Sequence, residues 1–125
     1  MLKMIKVLLI AVMVLFAAQA FAFNSANLSS AMNTAAYAGE YLNELMHPGM
    51  PKPWTNPMYL TMSNKLADAW KDIKKEIGSI ETAKEIDAAW AVVNSFKASQ
   101  GTYRDLGHQV EISLKERIKF LELQN

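Results

Sequence analysis

The segment from His47 to Pro57, HPGMPKPWTNP, holds the residues of this sequence that are best suited to chemistry. It contains all four prolines, one of the two histidines and one of the three tryptophans, and Met46 directly precedes it. In a chain without cysteine, thioether sulfur and imidazole nitrogen are the ligands that select Cu(I) or Ag(I). Met46, His47 and Met50 therefore form a candidate soft-metal site, with His108 as a possible further ligand.

The same residue types allow a second kind of site. A methionine and a histidine from facing helices could hold a b-type haem, an arrangement similar in outline to the periplasmic four-helix b-type cytochromes. This likeness concerns architecture alone and assigns no ligands. The plain alternative to both sites is that the methionines fill gaps in a core and that the histidines face solvent.

The prolines of the segment point to a different function, which is binding to another protein. Four fixed φ angles within ten residues favour a stiff, extended loop. Such a loop loses little conformational entropy when it docks. Met50 and Trp54 are the expected anchors, because large apolar and aromatic side chains dominate binding hot spots, and Lys52 lies between them. In the alternative, Trp54 folds down as a lid over the core.

The sequence contains no recognisable catalytic motif. No Ser-His-acid or Cys-His set stands out, and there is neither a glycine-rich phosphate loop nor a His-Glu-x-x-His helix. Glu40 and Glu44 are spaced one helical turn apart, which is typical of a solvent-facing surface. The primary interpretation is therefore a non-enzymatic protein, either an inhibitor or immunity-type protein or an accessory subunit, that needs no cofactor.

The first 22 residues have the pattern of a secretory signal peptide. Lys3 and Lys6 precede an uninterrupted apolar stretch at 7–17, and the small residues Ala20 and Ala22 suit the signal peptidase. We expect cleavage after Ala22, or else after Ala20, and export, most simply to the periplasm of a Gram-negative bacterium. The alternative is an uncleaved leader that holds the protein at the inner membrane.

Charge and cysteine content narrow the range of partners. Lys3 and Lys6 leave with the leader, so 13 Lys and Arg residues become 11, against 12 Asp and Glu. A nearly neutral chain predicts no binding to nucleic acid and, after cleavage, none to an anionic membrane. Without cysteine there is no disulfide framework and no thiolate nucleophile. The expected partner is an envelope or secreted protein, and the sequence leaves the oligomeric state open.

The elements that must position these residues are helices. Apolar residues recur at steps of three and four along four stretches, which is the period of amphipathic helices. The predicted helices cover about 25–46, 57–77, 80–98 and 103–123, with the proline-rich loop at 47–56. Two of the three connections are only a few residues long, which favours antiparallel neighbours. The sequence thus predicts one all-α domain at 23–125, an up-down-up-down antiparallel four-helix bundle.

Residues with known end preferences mark the expected helix boundaries. Asn24 or Ser25 can cap the first helix, and Asn56 can cap the second, with Pro57 in its first position. Gly78 is expected to end the second helix in a left-handed conformation. Thr82 with Glu85, and Thr102 with Asp105, have the spacing of a capping box.

The bundle prediction also locates the unusual residues. In an up-down bundle the first connector and the start of the fourth helix share one pole. Residues near 50 and near 105 would meet there, together with Met58 and Met62 from the second helix. Trp70 and Trp90, in contrast, are expected in the core, as are most aromatic residues on an apolar stripe.

Overall fold

The computed structural model describes residues 22–124, and these contain four α-helices and no strand. Helix α1 spans Ser25–Leu45, α2 spans Met58–Gly78, α3 spans Ala83–Lys97 and α4 spans Gly101–Gln124. A short 3-10 helix, Pro53–Thr55, lies in the connector between α1 and α2. The prediction of an all-α chain is confirmed for this part of the sequence. The predicted leader, apart from Ala22, falls outside the described residues.

None of the described helices combines the length and the hydropathy that a bilayer crossing requires. The helices pack as two closely associated pairs, α1 with α2 and α3 with α4. Helix α1 also contacts both α3 and α4, whereas α2 and α3, although consecutive, hardly touch. Helix α1 and helix α4 each contact all three others, and α1 makes most of the contacts between the two pairs.

The core is built from the inner faces of all four helices and from Ile80 in the connector between α2 and α3. The largest fully buried side chains are Leu28, Met32, Ile73, Ile80, Val93, Val110 and Leu114. Helix α1 contributes mainly buried alanines, and small side chains at a contact let neighbouring helix axes approach closely. Trp70 and Trp90, which were expected in the core, are only half-buried and pack against its edge.

Three helix starts are capped by the side chains of polar residues. Asn24 Oδ1 accepts hydrogen bonds from the N–H groups of Ala26 at 2.9 Å and Asn27 at 3.1 Å. Asn56 Oδ1 accepts from the Met58 N–H at 2.8 Å, and Pro57, with a φ of −58° and a ψ of −26°, already has helical geometry before α2. Thr82 and Glu85 form the full capping box before α3.

Two expectations about helix ends are wrong. Gly78 is not left-handed, since the glycines with positive φ in the described chain are Gly49 and Gly101. Helix α2 ends at Gly78 and is followed by Ser79 as a right-handed C-cap, whose hydroxyl donates to the Glu76 carbonyl at 2.6 Å. Helix α4 begins at Gly101, before the expected capping box, and its neighbour Thr102 has a buried hydroxyl without a hydrogen-bond partner in the described residues.

Helices α3 and α4 are joined by one well-placed charge pair. Lys97 Nζ lies 2.8 Å from Glu111 Oε2, and Lys115 Nζ, one turn along α4, lies 3.2 Å from Glu111 Oε1. The hydrogen bond from Lys97, helped by Lys115, lowers the pKa of Glu111 although burial acts in the opposite direction. Glu111 is therefore held as a carboxylate between two lysines.

Gly107 makes the closest backbone contact between α3 and α4. A Cβ at this position would lie 2.8 Å from the Lys97 backbone nitrogen and 3.1 Å from the Phe96 carbonyl carbon. We expect Gly107→Ala to lower the free energy of unfolding by about 1–3 kcal/mol in urea denaturation, because α3 would have to move. Gly39→Ala is the control: its Cβ would meet no atom within 4 Å, and alanine should add about 0.5–1 kcal/mol. Equal effects of the two substitutions would contradict the close packing.

The Glu111 contacts predict a pH dependence with a defined sign. Its pKa lies below the ordinary value of 4.5 in the folded protein, so the stabilisation is present at neutral pH and is lost as the pH falls through the lowered pKa. We expect Lys97→Met to raise this pKa more than Lys115→Met does, because the Lys97 hydrogen bond is the largest cause of the shift. NMR titration of the Glu111 side-chain carboxyl measures both changes, and the reverse order would refute this assignment.

Candidate functional site

Exposed large apolar side chains occur throughout the connector between α1 and α2 and the first turn of α2. We call them the apolar loop surface, and its members are Met46, Met50, Trp54, Met58 and Leu60. No carboxylate occurs in the sequence between Glu44 and Asp68, and Lys52 is the one charged residue within the connector. This surface is therefore apolar with a weak positive charge.

Local hydrogen bonds give the connector a defined backbone. The Met50 N–H donates to the His47 carbonyl at 3.1 Å and closes a turn that uses Gly49 at a φ of +90°. In the 3-10 helix, the Thr55 N–H and hydroxyl both donate to the Lys52 carbonyl, at 3.0 and 2.7 Å. The four prolines of the connector restrict the remaining backbone freedom, so the loop is already organised before any partner binds.

Trp54 points away from the core. Its residue surface is 66 % exposed, and the Lys52 ammonium lies 5.6 Å from the centre of its ring, within the range of a cation–π contact. The alternative in which Trp54 is a lid is therefore wrong. The core beneath the connector is already covered, because Tyr41, Leu45 and Tyr59 pack around a small buried cluster.

Three of the four predicted soft-metal ligands lie in the connector, and the fourth lies on α4. Met46, His47 and Met50 lie on or beside the turn from 47 to 50, and the His47 Nδ1 atom is 3.4 Å from the Pro48 carbonyl oxygen. His108 is elsewhere on α4, with its Nδ1 atom 3.8 Å from Glu111 Oε2. The three loop residues are close neighbours in the chain, whereas His108 lies beside Glu111 on another element.

His47 does reach the start of α4. It borders a shallow depression of about 500 Å³ between the end of α1 and the start of α4. The other residues that line this depression are Glu40, Asn43, Glu44, Gln100, Gly101, Thr102 and Tyr103. His108 is not among them, so the two histidines do not face a common cavity here.

Met58 has the helical spacing of the apolar residues Met62 and Leu66, which predicts burial, whereas Leu60 was not among the residues that the sequence analysis named. In the structure Met62 is buried in the small cluster below the connector, whereas Met58 and Leu60 are exposed. The exposure of Leu60 could have been predicted from its position, because it lies outside the apolar stripe that runs through Met62 and Leu66. Among the residues that the structure describes, no group of three or more His, Asp or Glu side chains is placed to hold a metal ion.

Comparisons with known proteins found no matching family model, no matching curated protein and no matching solved structure.

Proposed function

We propose that this chain is an exported, non-enzymatic protein that binds an envelope or secreted protein through the apolar loop surface. It would act as an inhibitor, as an immunity-type protein or as an accessory subunit, most simply in the periplasm. An up-down-up-down order of the four helices would hold this surface at one pole. The observation that carries the proposal is Trp54, which is 66 % exposed on a loop whose backbone is fixed by hydrogen bonds.

Burial of these side chains would supply the free energy of binding. Large aromatic side chains remove about 150–250 Å² of surface from water when they are fully buried, and a central tryptophan is commonly worth about 2 kcal/mol or more. Because the turn from 47 to 50 and the 3-10 helix already exist, little of this free energy is spent on ordering the loop.

The charges of the apolar loop surface indicate which residue types the partner's binding site should contain. The loop carries Lys52 and no carboxylate, so docking an apolar surface there leaves no buried carboxylate without a partner. A carboxylate on the partner, placed beside its apolar cleft, could pair with Lys52. The proposed partner therefore offers an apolar cleft for Trp54 and Met50 that is bordered by an acidic side chain.

The Trp54→Ala substitution tests this proposal. We expect the variant to fold with a free energy of unfolding within about 0.5 kcal/mol of the parent, because the side chain is exposed. It should bind the protein that co-purifies with the parent about 30-fold more weakly, as measured by calorimetry.

Tyr37→Ala is the matched control, since Tyr37 is an exposed aromatic residue on α1, outside the apolar loop surface. It should leave binding unchanged. Unfolding of Trp54→Ala would assign Trp54 a structural role. Unchanged binding by Trp54→Ala, or capture of the parent by phospholipid vesicles without any protein partner, would contradict protein docking at this surface.

A second function is favoured by the turn from 47 to 50. We propose as the alternative that Met46, His47 and Met50 hold Cu(I) or Ag(I), since two thioethers and an imidazole within five residues match the ligand preference of these ions. The Nδ1 atom of His47 lies beside the Pro48 carbonyl, so Nε2 is the nitrogen available to a metal. The haem version has less support, because Met32 and Met62 are buried in the core while both histidines are exposed.

Titration with Ag(I) tests this alternative. We expect one equivalent to shift the NMR signals of the Met46 and Met50 methyl groups and of the His47 ring. The double substitution His47→Ala with Met50→Ala should abolish binding. Met58→Leu and His108→Ala are the controls and should retain it. The metal proposal fails if the methyl signals do not move, or if His108→Ala alone removes binding.

A further inference from the structure

Helix α4 carries an exposed row of side chains, here called the α4 seam, which is distant in sequence from the apolar loop surface. Ile112, Glu116, Lys119 and Leu123 follow one another at steps of four, three and four residues. These steps are the spacing of a coiled-coil seam, so the four side chains lie along one side of the helix. All four are exposed, Ile112 to 61 % and Leu123 to 79 %.

The two charges at the centre of this seam have no ion-pair partner within the described chain. Glu116 and Lys119 are three residues apart but form no salt bridge with each other or with another described residue. Their neighbours differ: Glu111 is paired with Lys97 and Lys115, and Arg117 Nε donates to the Ile80 carbonyl at 3.0 Å. The seam thus combines two exposed aliphatic ends with an unpaired acid and an unpaired base.

We propose that this seam binds the same seam of a second copy of the chain, with the two α4 helices antiparallel and related by a two-fold axis. The point between Arg117 and Ile118 is the midpoint in sequence of two residue pairs. One pair is Ile112 with Leu123, and the other is Glu116 with Lys119. One axis at that point therefore places each Ile112 opposite Leu123 of the second copy and each Glu116 opposite Lys119 of the second copy.

The charges also exclude the parallel arrangement. Two parallel seams in register would place Glu116 against Glu116 and Lys119 against Lys119 of the second copy, and like charges at an interface oppose binding. The antiparallel arrangement converts the same four charges into two pairs of opposite sign. The occupant that fits this face by both charge and apolar contact is thus the chain itself.

The size of the seam determines how strong the dimer should be. Eleven residues of helix span about 16 Å, and the seam is small compared with the roughly 800 Å² that each partner buries in a stable interface. We expect a reversible dimer with a Kd on the order of 100 µM. This proposal does not depend on the proposed function, because the apolar loop surface lies on other elements and stays available in the dimer.

Charge reversal provides the main test. The full-length chain is expressed, purified as the cell processes it and examined by analytical ultracentrifugation up to about 1 mM, well above the expected Kd. Glu116→Lys should weaken the dimer about tenfold or more, since both opposite-charge pairs become repulsive. The swapped variant, Glu116→Lys with Lys119→Glu, should restore dimerisation. Glu122→Lys makes the same change of charge outside the seam and should have little effect.

Crosslinking tests the orientation, because the chain contains no cysteine of its own. The double variant Ile112→Cys with Leu123→Cys should form a disulfide-linked dimer on mild oxidation, since these two positions face each other between copies. Ile112→Cys alone should crosslink much more slowly, because two copies of residue 112 would be about 16 Å apart. A monomer at every concentration, a dimer that is indifferent to Glu116→Lys, or faster crosslinking by the single variant would each overturn the proposal.

Discussion

The packing of α1 against all three other helices is the constraint on which the rest of this structure depends. Helices α2 and α3 hardly touch, so the two helix pairs are held together chiefly by α1, with a smaller contribution from contacts between α2 and α4. A helix in this position must be buried on more than one side. The sequence of α1 meets this requirement with Ala31, Ala35, Ala36 and Ala38, which are buried together with Leu28 and Met32. Small side chains allow several neighbours to approach one axis, and the larger ones fill the remaining space.

The exposure of the connector follows from the same packing. Where α1 meets the start of α2, the small cluster of Ala38, Leu42 and Met62 is already covered by neighbouring tyrosines and leucines. Trp54 therefore remains in solvent, with Lys52 over its ring, while proline and local hydrogen bonds fix the backbone around it. Tryptophan is enriched at binding hot spots, so its exposure on an ordered loop supports the proposed docking surface.

The orientation of α4 accounts for the second exposed surface, because one face of this helix is buried and Ile112 and Leu123 lie outside it. Helix α3 has 15 residues and α4 has 24, and the contacts of Lys97 at the end of α3 lie near Gly107 and Glu111 in the first half of α4. The core needs one face of α4, which carries Leu106, Val110 and Leu114. Ile112 and Leu123 lie off that face and are left exposed, although their apolar character is that of an interface. Two surfaces on different elements are thus open to other molecules, one apolar with a single lysine and one with balanced charges.

The sequence by itself determined the helical class, the absence of thiol chemistry and the starts of three helices. Asn24, Asn56 and Thr82 cap as expected, because a cap depends on atoms within three residues of it in the chain. Only the tertiary structure decided which side chains are buried, since burial depends on residues far away in sequence. It left Trp54 and Met58 exposed, buried Met62, moved Trp70 and Trp90 to the edge of the core and associated His108 with Glu111. Periodicity alone could not distinguish the buried from the exposed residues among these. It shows that a helix has an apolar face, but not which neighbouring element covers each part of that face.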